Sequence, residues 1–165
     1  MKASFIALPL LSLLLVNALP AQAFSNNSKQ EPTTAEYNAW LKEKFSKQHE
    51  ALIPVVAVAD MFYSCNKARE VDSTVEEITY LINEMPKNKL AEKLALCLGE
   101  DSMQSDIALN FGLQGCFHEQ LAHLPEVERQ QKMVLVEKAI LSLSRGERKK
   151  SFTQCVTEQA IHYLQ

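Results

Sequence analysis

Four cysteines constrain this chain more than any other feature, because Cys65, Cys97, Cys116 and Cys155 each stand three residues after a large apolar residue, namely Phe62, Leu94, Leu113 and Phe152. A spacing of three returns to the same face of a helix, so every sulfur lies beside an apolar stripe and borders the core. An even set of such thiols reads as a disulfide framework once the chain leaves the reducing cytoplasm. Four cysteines admit three pairings, which helix geometry can rank.

The amino terminus supplies the route out. Lys2 precedes an apolar run from Phe5 to Val16, and Leu19, Pro20 and the small-residue site Ala21, Gln22 and Ala23 follow, which places cleavage after Ala23. A membrane-spanning helix needs about 20 continuous apolar residues. Here Asn17 and Pro20 interrupt the run, Ser25 to Glu31 are polar, and no cysteine lies close enough to take a lipid anchor. The expected organisation is a signal peptide over 1–23, a disordered leader over 24–32 and a single helical domain over 33–165, large enough to bury its own core. Expected localisation is periplasmic or secreted, with no membrane span after signal cleavage. In that setting the sequon at Asn26, Asn27 and Ser28 is read as chance.

Hydrophobic periodicity predicts an all-α bundle of six to seven helices. Thr33 and Glu36 have capping-box spacing, and Tyr37, Trp40, Leu41 and Phe45 fall on one face of a first helix reaching about Glu50. Pro54 suits the first turn of a second helix ending near Arg69. Asp72 or Ser73 caps a third, with Val75, Ile78, Leu81 and Ile82 as its stripe until Pro86, and a fourth runs from Lys87 to Leu98 before Gly99. Ser102 or Ser105 starts a fifth through Leu121. Pro125 opens a sixth that Gly146 closes, and the last covers Glu147 to Leu164. Strand-like alternation is absent.

The residues around two of the cysteines repeat. Leu113 to Pro125 (LQGCFHEQLAHLP) aligns without a gap on Phe152 to Leu164 (FTQCVTEQAIHYL), matching Cys116 with Cys155, Glu119 with Glu158, Gln120 with Gln159 and His123 with His162. On a helix, cysteine and histidine seven apart point within about 20° of each other, at the edge of the apolar arc. If successive helices alternate direction, the fifth and seventh are parallel and in equal register, which pairs Cys116 with Cys155. The same layout in the first half pairs Cys65 with Cys97. Gly112 and Gly115 would let backbones approach to the roughly 5.5 Å Cα separation of a disulfide. The arrangement reads as two related helical units.

Chemistry is sparse. The only dense basic stretch, Arg145, Arg148, Lys149 and Lys150, is short and interrupted, which argues against a nucleic-acid partner. No CxxC offers a low-pKa thiolate, no glycine-flanked serine sits at a strand-to-helix turn, and no haem attachment sequence occurs. His49 and His118 read as solvent-facing. His123, His162, Glu119 and Glu158 form the one candidate ligand set, for zinc or copper. Together these features imply a non-catalytic exported protein that binds another protein of the cell envelope, as a chaperone-like, immunity-like or assembly-accessory module. The alternative expectation is a metal- or cofactor-binding protein using the His123 and His162 edge.

Overall fold

The computed structural model describes residues 33–74 and 76–164, with the Phe45 side chain left aside; the expected signal and leader (1–23 and 24–32) lie outside the described residues. Six helical elements follow in order: α1 Thr34–Arg69, α2 Ile78–Asn83, α3 Lys87–Leu98, α4 Asp106–Gln120, α5 Glu126–Ser142 and α6 Arg145–His162. Because α1 is interrupted at Ser46 (φ 32°, ψ −129°), the elements make seven helical segments, and no strand occurs among the described residues.

Both disulfides pair as helix geometry ranks them. Cys65 bonds Cys97 and Cys116 bonds Cys155, with Cα separations of 6.1 and 6.2 Å. Each bridge joins parallel helices. Along α1 and α3, Lys93 stands over the Phe62 ring, and further on Arg69 Nη1 donates to the carbonyls of Cys97 and Leu98 at 2.8 and 2.9 Å. Along α4 and α6, Arg148 reaches Asp106 and Asn110 at the start, and the Tyr163 hydroxyl donates to Glu119 near the end. The Cys116–Cys155 separation of 39 residues is also the offset of the sequence repeat, so the repeat is the register.

The core is continuous between these pairs. Val56, Ala59, Phe62, Leu81, Leu90, Leu94, Leu113, Phe152 and Val156 are all buried, and the four sulfurs lie among them. Close approach of α1 to α4 depends on Gly115, where an added Cβ would stand 2.3 Å from the Asp60 carbonyl oxygen. At Gly112 the same atom would strike the Phe152 ring.

Four boundaries depart from expectation, each for a local reason. The break expected between Glu50 and Pro54 sits instead at Ser46, and α1 continues through Pro54. Proline there removes the hydrogen bond to the Glu50 carbonyl, but both residues are exposed, where water can serve that oxygen. The third helix starts late, at Ile78. Buried Asn66 donates from Nδ2 to the carbonyls of Asp72 and Thr74 and accepts from Asp72 N, so its side chain holds this stretch in a non-helical course. Asp72 accepts from Thr74 N instead of capping a helix. At the other junction α5 ends at Ser142, and Gly146 lies inside α6. A capping box at Ser144 and Glu147 overrides the glycine as a stop.

The amino-terminal stripe is also corrected. The Thr33 and Glu36 capping box forms, and Leu41 is buried, but Tyr37 and Trp40 stay exposed and stack on one another with ring centroids 6.2 Å apart.

Candidate functional site

Polar residues inside the bundle locate the sites, since a buried polar group is retained only with a partner or a task. Asp60 is the most unusual. It lies in the apolar run from Val55 to Tyr63 and is 0% exposed. Gln159 Nε2 donates to Asp60 Oδ1 at 3.1 Å, and Oδ2 has no hydrogen-bond partner among the described residues. Burial pushes this carboxyl well above the ordinary aspartate range, the Gln159 hydrogen bond opposes that, and the Glu119 carboxylate raises it further. Burial therefore favours the protonated form of Asp60.

Gln159 continues the chain of contacts toward the surface. Its Oε1 lies 2.9 Å from Cys116 Sγ, a close contact and not a hydrogen bond, because a disulfide sulfur carries no proton. Beyond it opens a groove of about 340 Å³ lined by Glu119, Gln120, His123, Glu158, Gln159, His162 and Tyr163. All four residues of the expected zinc or copper set line this one groove. α4 and α6 bring them together by ending side by side, with Cys116–Cys155 one turn below.

The donor atoms are engaged separately. Tyr163 OH donates to Glu119 Oε1 at 2.7 Å, Gln154 Nε2 donates to Glu158 Oε1 at 2.9 Å, and His123 Nδ1 donates to the Gln120 carbonyl at 2.9 Å. No group of three or more histidine, cysteine, aspartate or glutamate side chains is placed to hold a metal ion among the described residues. The Tyr163 phenol is held above its usual range, mainly by burial and also by the Glu119 and Asp60 carboxylates, while its contact with Thr79 opposes this.

Both histidines expected in solvent face the interior. His49 is 3% exposed and donates from Nε2 to the Thr157 carbonyl at 2.9 Å, tying α1 to α6. His118 is half-buried, with Nε2 3.0 Å from the Tyr63 hydroxyl and ring centroids 4.7 Å apart. Burial first, then the positive charges of Lys67 and Arg129, push the His118 imidazole down to about 4, against a smaller opposing effect of Glu126. A histidine depressed in the folded state contributes stability above its unfolded value of about 6.5, and loses it as pH falls toward 4. Its Cε1–H resonance is expected to titrate with a midpoint of about 4. A midpoint near 6.5 would contradict the buried placement.

Sequence reasoning missed Asp60 and Tyr163. The available signal for Asp60 was a lone carboxylate inside an apolar stretch, where an ordinary solvated residue is out of place. No helix among the described residues is long and apolar enough to cross a membrane. Compared with known proteins, the chain matches no family model, no curated protein and no solved structure.

Proposed function

We propose that this is a non-catalytic exported protein that binds another protein of the cell envelope through the outer face of α5. The observation that carries the reading is the distribution of apolar side chains on that helix. Met133, Val136 and Ile140 turn inward, while Val127, Val134, Leu135 and Leu141 are 69%, 50%, 64% and 78% exposed. At 100° per residue Val127, Val134 and Leu141 fall within about 40° of one another along about 20 Å of helix, with Gln130, Gln131, Glu137 and Lys138 between them and Leu135 about 100° to one side. Apolar side chains scattered singly need no explanation, but four large ones left exposed on a single helix whose other side packs on the core support an interaction surface rimmed by polar residues.

Export supports the same reading. Two buried disulfides need an oxidising compartment, and the signal-like start offers a way there. The braces make a rigid platform for α5, so binding a partner costs little ordering of the bundle.

Affinity capture from an envelope extract tests the proposal with three forms of the protein. The wild type and a Leu96→Glu control, which alters an exposed leucine on α3, are expected to retain the same partner. The double variant Val134→Glu with Leu141→Glu is expected to lose it, at unchanged helicity and thermal midpoint. Equal capture by all three forms would remove α5 as the binding face. Turnover of an envelope substrate that depends on one polar side chain would remove the non-catalytic reading.

A further inference from the structure

We infer that the groove between the carboxyl-terminal ends of α4 and α6 is a binding site for an organic cation, an alkylammonium or guanidinium group. The charge around it has one sign. Glu119 and Glu158 line the groove, and neither lysine nor arginine does. The parallel helices add to this, since each carboxyl terminus presents roughly half a negative charge and both end here, at Gln120 and His162.

The walls suit a cation carried on carbon. Tyr163 is among the lining residues, and a phenol ring attracts a positive group placed over its face. A volume of about 340 Å³ admits an alkyl chain with its charged head and is far larger than a lone ion requires. A metal fits less well, because the carboxylates are occupied by Tyr163 and Gln154 and no three donors converge among the described residues. A guanidinium or ammonium makes no such demand. It can share carboxylates that already accept one hydrogen bond, because each oxygen has further lone pairs.

A second observation comes from beneath the groove. Asp60 is fully buried, with Oδ1 bonded to Gln159, a lining residue, and Oδ2 without a partner among the described residues. The core therefore keeps a carboxyl group with one unpartnered oxygen a single hydrogen bond behind the lining residue Gln159. A cation seated on Gln159 would favour the ionised form of that carboxyl, whose second oxygen has no hydrogen-bond partner among the described residues. This site lies on elements other than α5 and does not rest on the proposed docking face.

The test is an NMR titration of the full disulfide-bonded chain at low ionic strength. The probes are n-butylguanidinium and n-butylammonium, with neutral butyramide as the control. Both cations are expected to produce saturable shifts at the Gln159 side-chain amide and the Tyr163 and His162 rings, and butyramide none. Replacing Glu119→Gln and Glu158→Gln together is expected to weaken binding about tenfold or more, whereas Glu92→Gln on α3 leaves it unchanged. Added salt is expected to weaken binding to the wild type, a readout that needs no variant.

A terminally blocked Gly-Arg-Gly peptide then separates two sources of the same chemistry. Binding about tenfold tighter than butylguanidinium assigns the groove to a basic side chain of a partner chain, and equal binding assigns it to a free small cation. Three outcomes overturn the inference: equal shifts with butyramide, affinity that survives removal of both carboxylates, or zinc binding that requires His123 and His162 and excludes the cations.

Discussion

Replacing Cys116 and Cys155 together by alanine is expected to lower the unfolding free energy by about 4 kcal/mol, from the chain entropy released when a loop of 39 residues is no longer closed. Removing Cys65 and Cys97 opens a loop of 32 residues and is expected to cost nearly the same. Loop closure grows only slowly with length, so the two bridges differ little in this respect. Both pairs are buried, and vacated sulfur volume adds a packing loss to each. Losing both bridges therefore removes about 8 kcal/mol, which is comparable with the whole stability of an ordinary domain, about 5–15 kcal/mol. Denaturant unfolding of the oxidised wild type, of each double variant and of the reduced wild type measures this. The reduced protein is expected to lose its cooperative transition. A loss under about 1 kcal/mol for either pair would mean that packing alone sets the register of the parallel helices and that the entropic account does not apply here.

That register was legible in the sequence because the repeat carries Cys116 onto Cys155, the pair that the structure bridges. The repeated Cys, Glu, Gln and His positions share one offset, and the bridge between Cys116 and Cys155 keeps the same 39-residue interval. The helix start at Thr33 and the stop at Gly99 were legible for a similar reason, since the cap is a local side-chain or backbone event, and of the two starts open at Ser102 and Ser105 the structure takes Ser105. Pro54 misled because a proline inside a helix is tolerated when the carbonyl it orphans faces water. Gly146 misled because the capping box at Ser144 competes with it over the same residues.

The polar interior was not legible at all. His49 finds its acceptor 108 residues away on α6, and Asp60 finds Gln159 at a separation of 99. No periodicity on α1 announces either partner. The repeat also concealed an asymmetry, for Gln159 is buried where α6 meets α1 while its counterpart Gln120 remains exposed in the groove. The four candidate ligands could be grouped from sequence, but how their donor atoms are shared depends on Tyr163 and Gln154, which no local pattern linked to them.

Substituting Asp60→Asn is expected to leave the fold intact and to remove a fall in stability that the wild type shows as pH rises. The folded carboxyl titrates well above 3.8, whereas in the unfolded chain it titrates near the ordinary value. Below the unfolded value both states hold the proton, and the raised native value costs nothing. Between the two values the folded state keeps a proton that the unfolded state has lost, so stability declines with pH by as much as about 1.4 kcal/mol per unit. Above the folded value the decline stops, with a charged group then buried. Asparagine has no proton to lose, and its amide oxygen can still accept from Gln159. His118 acts in the opposite direction from about 4 to its unfolded value, so wild-type stability alone mixes two slopes. The difference between wild type and Asp60→Asn isolates one of them, and urea midpoints taken from pH 4 to 8 should show it widening in favour of the variant. Water cannot readily relieve the charge, because the Asp60 backbone is pressed against Gly115 and the side chain has no exposed surface. Asp60→Ala makes the complementary case: it leaves Gln159 Nε2 without its acceptor and is expected to cost about 1–3 kcal/mol at low pH, where the wild-type acid is neutral. Parallel pH profiles for wild type and Asp60→Asn would mean that the carboxyl is solvated in solution, and that the buried Asp60–Gln159 contact does not persist.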